Sequence, residues 1–294
     1  MAYAKTTKII NGGLQGDISL CSDTNGSQFI LKRFYDKRHL HVEREVLTQC
    51  QGSSYIAQMH TVTLPAHHNN SLALQYYCHG DMFNLLQKAH ERNLMTEQLA
   101  KSMFKKIVLA VAELHQKEIV HRDIKPENIF VDADFNLLLG DFGLASIQNE
   151  SKVDNNQLIN LCGTKSYMAP EVIACEVSGR RYNGYASDMW SLACMLFLLL
   201  TGNMPLGEQG ACRRDWYFNR IQAGEWSSFW QQHDSVLMTP LSAEAKDMVS
   251  VLFKAEPESR LSAETVLELS WFKDENMLSD EQYFDCMSHI AQLE

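Results

Sequence analysis

Residues 121–128 read HRDIKPEN, a dense run of charged side chains around a single proline. Two triplets follow along the chain, DFG at residues 141–143 and APE at residues 169–171, and residues 29–32 upstream read FILK. Buried unpaired charges are costly, so a purely structural role for this lysine, these aspartates and this asparagine is unfavourable. Since one such motif can arise by chance but an ordered set cannot, the pattern predicts a catalytic site.

In this order the motifs resemble the catalytic loop, the metal-binding triplet and the end of the activation segment of eukaryotic-type protein kinases. The resemblance implies an α+β, bilobed protein kinase fold. Its small β-rich lobe is expected at residues 1–77 and its larger, mostly helical lobe at residues 78–272, with the activation segment at 141–171. An acidic C-terminal tail is expected at 273–294.

Local patterns support two lobes of different structure. Asn25-Gly26 lies between two β-prone runs and is a strong hairpin signal. A further strand pair is predicted at 56–64 and 72–76, whereas the apolar positions of 96–115 follow a helical repeat. Other helices are predicted at 38–50, 188–201, 242–253 and 263–269.

Composition narrows the classes of partner. The 294 residues are 45% hydrophobic with a net charge of −10, so neither nucleic acid nor an anionic membrane surface is an expected partner. The apolar run from Met189 to Leu200 is shorter than the ~20 residues of a membrane span, which predicts a buried core helix. Scattered cysteines without C-x-x-C spacing predict reduced thiols and a cytoplasmic location, and a nuclear one remains open.

The resemblance implies how the triphosphate of ATP is held. Lys32 is expected to contact the α and β phosphates, and a carboxylate must then hold its ammonium in place. Glu43 matches the family pattern Glu-x-x-aliphatic-Leu, and Glu45 is the alternative. Because Lys32 and Glu43 are unusually close in sequence, the helix that carries Glu43 is expected to follow the strand closely.

The same resemblance assigns the transfer step. Asp123 is expected to accept the substrate hydroxyl proton, Lys125 to steady the γ phosphate, and Thr164 to bond both. Asn128 and Asp141 are the expected Mg²⁺ ligands, since this hard ion prefers oxygen. A lysine at position 125 is typical of serine/threonine kinases, so protein Ser/Thr hydroxyls are the expected acceptors.

The resemblance implies an ATP site formed by Asn11, Gly13, Gly16, Ile18, Ile30, Lys32, Leu74, Gln75, Tyr77, Asp81 and Phe130. Asn11 stands at the first glycine of the phosphate loop, and asparagine tolerates positive φ. Ile30 replaces the usual alanine. With Ile18 above and Phe130 below, we expect a narrow adenine slot and modest ATP affinity.

Three features bear on the peptide substrate and on activation. Asp81 and Glu127 match acids that receive an upstream arginine, whereas Leu198 stands where a second such acid lies. Thr164 also belongs to the peptide-docking segment. Asn160 occupies the place of the family's phosphorylated threonine, which leaves Arg122 without its usual phosphate, so activity is predicted not to need phosphorylation there.

Other residues are predicted to be structural. Arg260 and Glu171 are expected to form a buried ion pair, and Asp188 to bond the backbone of the catalytic loop. His121 and Phe142 are expected to pack in the core and align the site.

Two alternatives remain open. A pseudokinase scaffold is suggested by Asn11 and Ile30, and a small-molecule phosphotransferase would lack the segment at 162–171 that docks a peptide. The large lobe resembles the calcium/calmodulin-dependent-kinase-like group. The acidic tail does not fit a calmodulin target, which would be basic and amphipathic.

Overall fold

The computed structural model of the protein describes residues 3–12, 16–148, 157–208, 210–235, 237, 240–272 and 277–293. Its first part is an antiparallel sheet in the order β1-β2-β3-β4. The strands are β1 (Tyr3–Gly12), β2 (Gly16–Asp23), β3 (Gln28–Phe34) and β4 (Ser71–Gln75). The hairpin predicted at Asn25-Gly26 is confirmed, since it joins β2 to β3 with Gly26 at φ 84°.

One helix, α1 (Lys37–Gln49), packs on this sheet. It begins where the Asp36 side chain accepts a hydrogen bond from the backbone of Arg38, a common N-cap arrangement. β3 ends at Phe34, so the connection to α1 is as short as expected.

The strand predicted at 56–64 is wrong. Ala57 N donates to the carbonyl of Leu139 in the large lobe, whereas His60 N donates to Ala73 of β4. Because successive backbone groups bond to different partners, isolated bridges form in place of a strand, among them Ile56 with Leu139 and Met59 with Leu74. The segment serves as a junction between the lobes.

The second part is mostly helical. Its helices are α2 (Met82–Glu91), α3 (Glu97–Gln116), α4 (Pro170–Ser178), α5 (Gly184–Thr201), α6 (Trp216–Ala223), α7 (Trp226–Asp234), α8 (Ala243–Leu252), α9 (Ala263–Leu267) and α10 (Asp280–Ala291). Short strand pairs join them, formed by β5 (Ile119–Val120) with β8 (Ser146–Ile147), β6 (Ile129–Val131) with β7 (Leu137–Leu139), and β9 (Gln157–Leu158) with β10 (Tyr182–Asn183). The predicted α+β, bilobed fold is confirmed.

The core of the large lobe is built around α5. This helix is apolar on all sides, and by length and composition alone it could cross a membrane. However, 83% of it is buried inside the protein, so it is the core helix that the sequence predicts. Gly202 ends it in the left-handed conformation, at φ 70°.

Helix α10 lies within the segment predicted only as an acidic tail. Its N-terminus has a full capping box between Ser279 and Gln282. Tyr283, Met287 and Ile290 recur on one face and are buried against the large lobe. The tail therefore contributes to the hydrophobic core.

Candidate active site

A buried lysine links the two lobes. Lys32 on β3 lies 2.6 Å from Glu43 Oε2 and 2.8 Å from Asp141 Oδ1. Its side chain is 7% exposed and that of Glu43 1%, so this is an interior ion pair rather than a surface contact. The structure thus brings together one cation from the sheet, one acid from α1 and one acid from the large lobe.

The face of α1 explains why Glu43 and not Glu45 reaches the lysine. Leu40, Glu43, Val46 and Leu47 form the buried stripe of the helix at the spacing of successive turns. Glu45 lies on the exposed side.

Burial and mutual attraction set the charges of this cluster. Burial raises the pKa of Glu43 to about 7, although the Lys32 ammonium opposes the shift. Burial alone would lower the pKa of Lys32, but the carboxylates of Glu43 and Asp141 outweigh it and raise that pKa. Burial likewise acts to raise the pKa of Asp141, and attraction to Lys32 overcomes it, so this pKa is lowered. Lys32 and Asp141 are therefore charged at neutral pH.

Asp123 is held at both carboxylate oxygens. Oδ1 accepts hydrogen bonds from the backbone N–H and the hydroxyl of Thr164, each at 2.8 Å. Oδ2 lies 2.8 Å from Lys125 Nζ and 3.1 Å from Asn128 Nδ2. Lys125 also donates to the Thr164 hydroxyl at 2.7 Å. The expected bonds of Thr164 to Asp123 and Lys125 are thus present, and the Asp123 carboxylate has one defined orientation.

The loop that carries Asp123 is held by hydrogen bonds to α5 and by packing in the core. Asp188 on α5 accepts hydrogen bonds from the backbone N–H groups of His121 and Arg122, both at 2.9 Å, as expected. His121 is fully buried, and its ring meets Phe142 edge-on at 5.2 Å. Arg122 adopts φ 68°, a left-handed conformation that such anchoring compensates.

Asn128 and Asp141, the expected metal ligands, lie next to the open end of the β6–β7 hairpin, one before β6 and one after β7. Gly140, next to Asp141, donates its backbone N–H to the carbonyl of Asn128 at 2.9 Å. The Asn128 amide nitrogen is engaged with Asp123, so its oxygen is the atom available to a cation. One carboxylate and one amide oxygen suit a hard divalent ion such as Mg²⁺.

The expected adenine-side residues lie on β2 to β4 and on the segment that follows. Ile30 is paired with Leu74 across β3 and β4, and Gln75 ends β4. Tyr77 stacks on Phe130 with ring centroids 5.8 Å apart. Ile18 lies opposite Lys32. Asp81 caps the N-terminus of α2.

Sequence reasoning missed the role of Gly140 beneath this region. A Cβ placed on Gly140 would lie 2.7 Å from Cε2 of the Phe130 ring. The available signal is a glycine immediately before Asp141 combined with a bulky residue at 130. The ring of Phe130 therefore occupies the space beside Gly140. The sequence predicts Phe130 below the adenine slot but does not predict this contact with Gly140.

The phosphate loop is described only in part. Asn11 lies on β1, opposite Ile18 of β2, and Gly13 lies outside the described residues. A Cβ on Gly16 would lie 1.7 Å from the carbonyl oxygen of Arg33. Glycine is thus required at position 16 by the close approach of β2 to β3, independently of any phosphate.

The surface beside Asp123 carries the expected peptide-side residues. Glu127 is exposed on a short 3-10 turn, Pro126–Asn128, and Leu161 of the activation segment is 40% exposed. Leu198 packs against the core instead of facing a substrate. Arg260 and Glu171 form the expected structural pair, bidentate at 2.6 and 2.8 Å.

Comparison with known proteins agrees with this geometry. Residues 5–272 match the protein kinase domain family. Over 197 residues the chain is 36% identical to the serine/threonine-protein kinase GIN4 of Saccharomyces cerevisiae, covering 67% of this chain and 16% of that protein. Over 287 residues it is 28% identical to CBL-interacting protein kinase 15 of Oryza sativa, covering 94% of this chain and 61% of that protein. The chain therefore spans less than two thirds of the length of these relatives.

Proposed function

The chain belongs to the protein kinase domain family, and we propose that it transfers the γ-phosphoryl group of ATP to serine and threonine hydroxyls of proteins. The observation that carries this proposal is the constellation around Asp123, in which Lys125 and Thr164 orient a carboxylate near the Lys32–Asp141 pair. Phosphoryl transfer needs positioned charges more than covalent chemistry, and these groups supply them.

Each side chain has a defined part in the proposal. Asp123 accepts the proton of the attacking hydroxyl, since its bonds to Thr164 and Lys125 hold the carboxylate in one orientation. Lys125 contacts the γ phosphate as a point charge. Lys32 contacts the α and β phosphates, and Glu43 keeps its ammonium in place.

Asn128 and Asp141 would hold Mg²⁺. When bound, this ion supplies neutralisation of the phosphate charge and a bridge between phosphate oxygens. Asp141 keeps its negative charge at neutral pH, because Lys32 lowers its pKa, and it can therefore serve as a ligand.

The proposed acceptor is a protein segment rather than a small molecule. Residues 162–171 place Thr164 on Asp123 and continue into α4, while Ile159 and Leu161 expose apolar side chains beside them. Glu127 is an exposed acid on the 3-10 turn after Lys125, and Asp81 is the acid that caps α2, whereas Leu198 carries no charge. We propose that one basic residue upstream of the target hydroxyl is preferred.

The decisive experiment measures transfer of radiolabelled γ-phosphate to a degenerate Ser/Thr peptide library. Wild type should label the library, and Asp123→Ala should not, although it should still bind a non-hydrolysable ATP analogue. ATP binding by wild type without transfer would instead support the pseudokinase scaffold. Labelling of a small alcohol but of no peptide would support the small-molecule phosphotransferase.

A matched pair of variants tests the basic preference. Glu127 and Glu258 are both exposed glutamates in the middle of a 3-10 turn that begins with proline. Glu127→Gln should weaken the preference for an upstream basic residue in a positional-scanning peptide array, and Glu258→Gln should leave it intact. An array in which wild type shows no basic preference ends this part of the proposal.

We also propose a reducing compartment, the cytoplasm with the nucleus as the alternative. All eight cysteines are free thiols, and Cys78 is exposed. Alkylation in intact cells followed by mass spectrometry should recover Cys78 in the reduced form. Recovery as a disulfide would contradict the proposal.

A further inference from the structure

Arg122, next to the catalytic Asp123, is bound to two parts of the protein. Its Nε donates to the carbonyl of Leu144, directly after residues 141–143, at 2.6 Å. Its guanidinium also lies close enough to the Tyr182 hydroxyl to oppose the rise that burial gives the pKa of Tyr182. No phosphate is needed to provide these contacts, since the partners are a backbone carbonyl and a neutral hydroxyl.

Tyr182 passes this contact to the activation segment. Tyr182 is 3% exposed, and its hydroxyl donates to the carbonyl of Asn160 at 3.0 Å. Burial raises the pKa of Tyr182, so the hydroxyl keeps the proton that this bond requires. One hydroxyl thus lies near the catalytic loop and is bonded to Asn160 of the activation segment.

The neighbouring backbone is fastened to the same place. Leu158 and Gln157 pair with Tyr182 and Asn183 as strands β9 and β10. The thiol of Cys175 lies 3.8 Å from the carbonyl of Ile159. Three successive positions, 158 to 160, are therefore held by α4 and by the segment between α4 and α5.

This anchor lies four residues before Thr164. Thr164 makes the two bonds that orient Oδ1 of Asp123, so the position of Asn160 governs whether Thr164 reaches it. Residues 157–161 read QLINL and contain no hydroxyl side chain that could be phosphorylated.

We propose that Tyr182 is a positioning residue, which ties Arg122 to Asn160 and so keeps Thr164 on Asp123 without phosphorylation of the segment. The inference rests on the proposed function, because it specifies how that site is kept in its active arrangement. Tyr182 itself touches no reacting atom.

The test compares two tyrosine-to-phenylalanine variants of the full chain. Tyr182→Phe removes the bridging hydroxyl and keeps the ring. Tyr283→Phe is the matched control, since its hydroxyl also donates to a backbone carbonyl, that of Phe135, at 3.2 Å, and its ring is 5% exposed. Steady-state kinetics with a library-derived peptide gives kcat and the KM for ATP. Hydrogen exchange read by mass spectrometry gives the protection of amides 157–164.

Tyr182→Phe should lower kcat about 3- to 10-fold, the range expected for one hydrogen bond, and leave the KM for ATP within about twofold. It should also speed exchange of amides 157–164, whereas Tyr283→Phe should change neither quantity. Phosphatase treatment should leave wild-type kcat unaltered. The inference requires a lower kcat and faster exchange in Tyr182→Phe, no change in Tyr283→Phe, and an unaltered wild-type kcat after phosphatase treatment. It is overturned if either variant behaves otherwise or if phosphatase lowers kcat.

Failure of the proposed function is a separate outcome. If wild type transfers no phosphate to any peptide, kinetics cannot be read, and hydrogen exchange alone decides. Unchanged protection of amides 157–164 in Tyr182→Phe then refutes the positioning role. Faster exchange there, absent in Tyr283→Phe, supports the role of Tyr182 in ordering the segment.

Discussion

The ring of Phe130 fills the space that a side chain on Gly140 would occupy. A Cβ on Gly140 would lie 2.7 Å from ring carbon Cε2 and 2.9 Å from the Cβ of Ala57, which is too close on both sides. The large residue at 130 and the absent side chain at 140 therefore depend on each other. Phe130 also stacks on Tyr77, so the pair links the floor of the expected adenine slot to the segment between the lobes.

Gly140→Ala should displace the Phe130 ring toward the nucleotide side. Overpacking of this kind costs about 1–3 kcal/mol, so we expect the Kd for a non-hydrolysable ATP analogue to rise about tenfold, as measured by calorimetry. The double variant Gly140→Ala/Phe130→Leu should recover most of the affinity. An unchanged Kd in Gly140→Ala would show that the ring yields in another direction.

Kinase activity should fall as the pH is lowered, because Glu43 becomes protonated. Burial raises its pKa to about 7, so lowering the pH through that value protonates the carboxylate and removes the charge that holds Lys32. We expect kcat/KM of wild type to decline below about pH 7. Glu43→Gln should be less active and should lack this decline. If the variant keeps the same decline at low pH, Glu43 is not the group responsible for it.

The same pKa has a consequence for stability. The pKa of Glu43 is higher in the folded protein than its ordinary value of 4.5, so the folded state binds this proton more tightly. The contribution of Glu43 to the free energy of unfolding is full below about pH 4.5 and is lost as the pH rises to about 7. Urea unfolding across this range should show a smaller pH dependence for Glu43→Gln than for wild type. An identical pH dependence in the two proteins would contradict the assignment.

Thr164→Val should impair transfer without impairing ATP binding. It removes the hydroxyl that donates to Asp123 Oδ1 at 2.8 Å and accepts from Lys125 at 2.7 Å. Loss of such positioning should lower kcat about tenfold in the peptide assay. Thr164→Ser, which keeps the hydroxyl, is the control and should retain most of the rate. Equal rates for the valine and serine variants would remove the hydroxyl from the mechanism.

Arg260→Met should destabilise the large lobe. The arginine side chain is 1% exposed, so its loss leaves Glu171 without a partner in a mostly buried place. We expect the free energy of unfolding to fall by about 3–5 kcal/mol in urea titrations. Arg220→Met breaks the exposed pair with Glu225 and should cost at most about 1 kcal/mol. Similar losses in both variants would mean that burial does not distinguish the two pairs.

Helix α10 should be part of the stable domain. Met287 is 1% exposed, and Met287→Ala should reduce the free energy of unfolding by about 2–5 kcal/mol, read by chemical denaturation. Asp285→Ala on the exposed side of the same helix should have little effect. A negligible loss for Met287→Ala would indicate that the helix is only loosely attached.

Part of the fold was predictable because its signals are local. Asn25-Gly26 specifies a two-strand turn by itself, and the periodic apolar residues of α3 and α5 determine helices that need a shared core. The segment 56–64 looked like a strand for the same local reason. Its partners lie in both lobes, so its structure depends on contacts that no local pattern contains.

The candidate site was likewise predictable only in part. Spacing offered both Glu43 and Glu45 as partners of Lys32, and the buried face of α1 selects the first. The fit of Phe130 to Gly140 and the hydrogen bond from Tyr182 to Asn160 depend on residues that are separated in the chain.

The sequence alone determined the kind of chemistry, since ordered motifs carry the lysine, the asparagine and the two aspartates that phosphoryl transfer requires. It also determined most helices, because the periodic spacing of their apolar residues is a property of the sequence itself. Only the tertiary structure decided which carboxylate pairs with Lys32, what packs against Gly140 and which groups surround Arg122. Burial, close packing and hydrogen bonds between distant segments set those outcomes, and they exist only once the chain has folded.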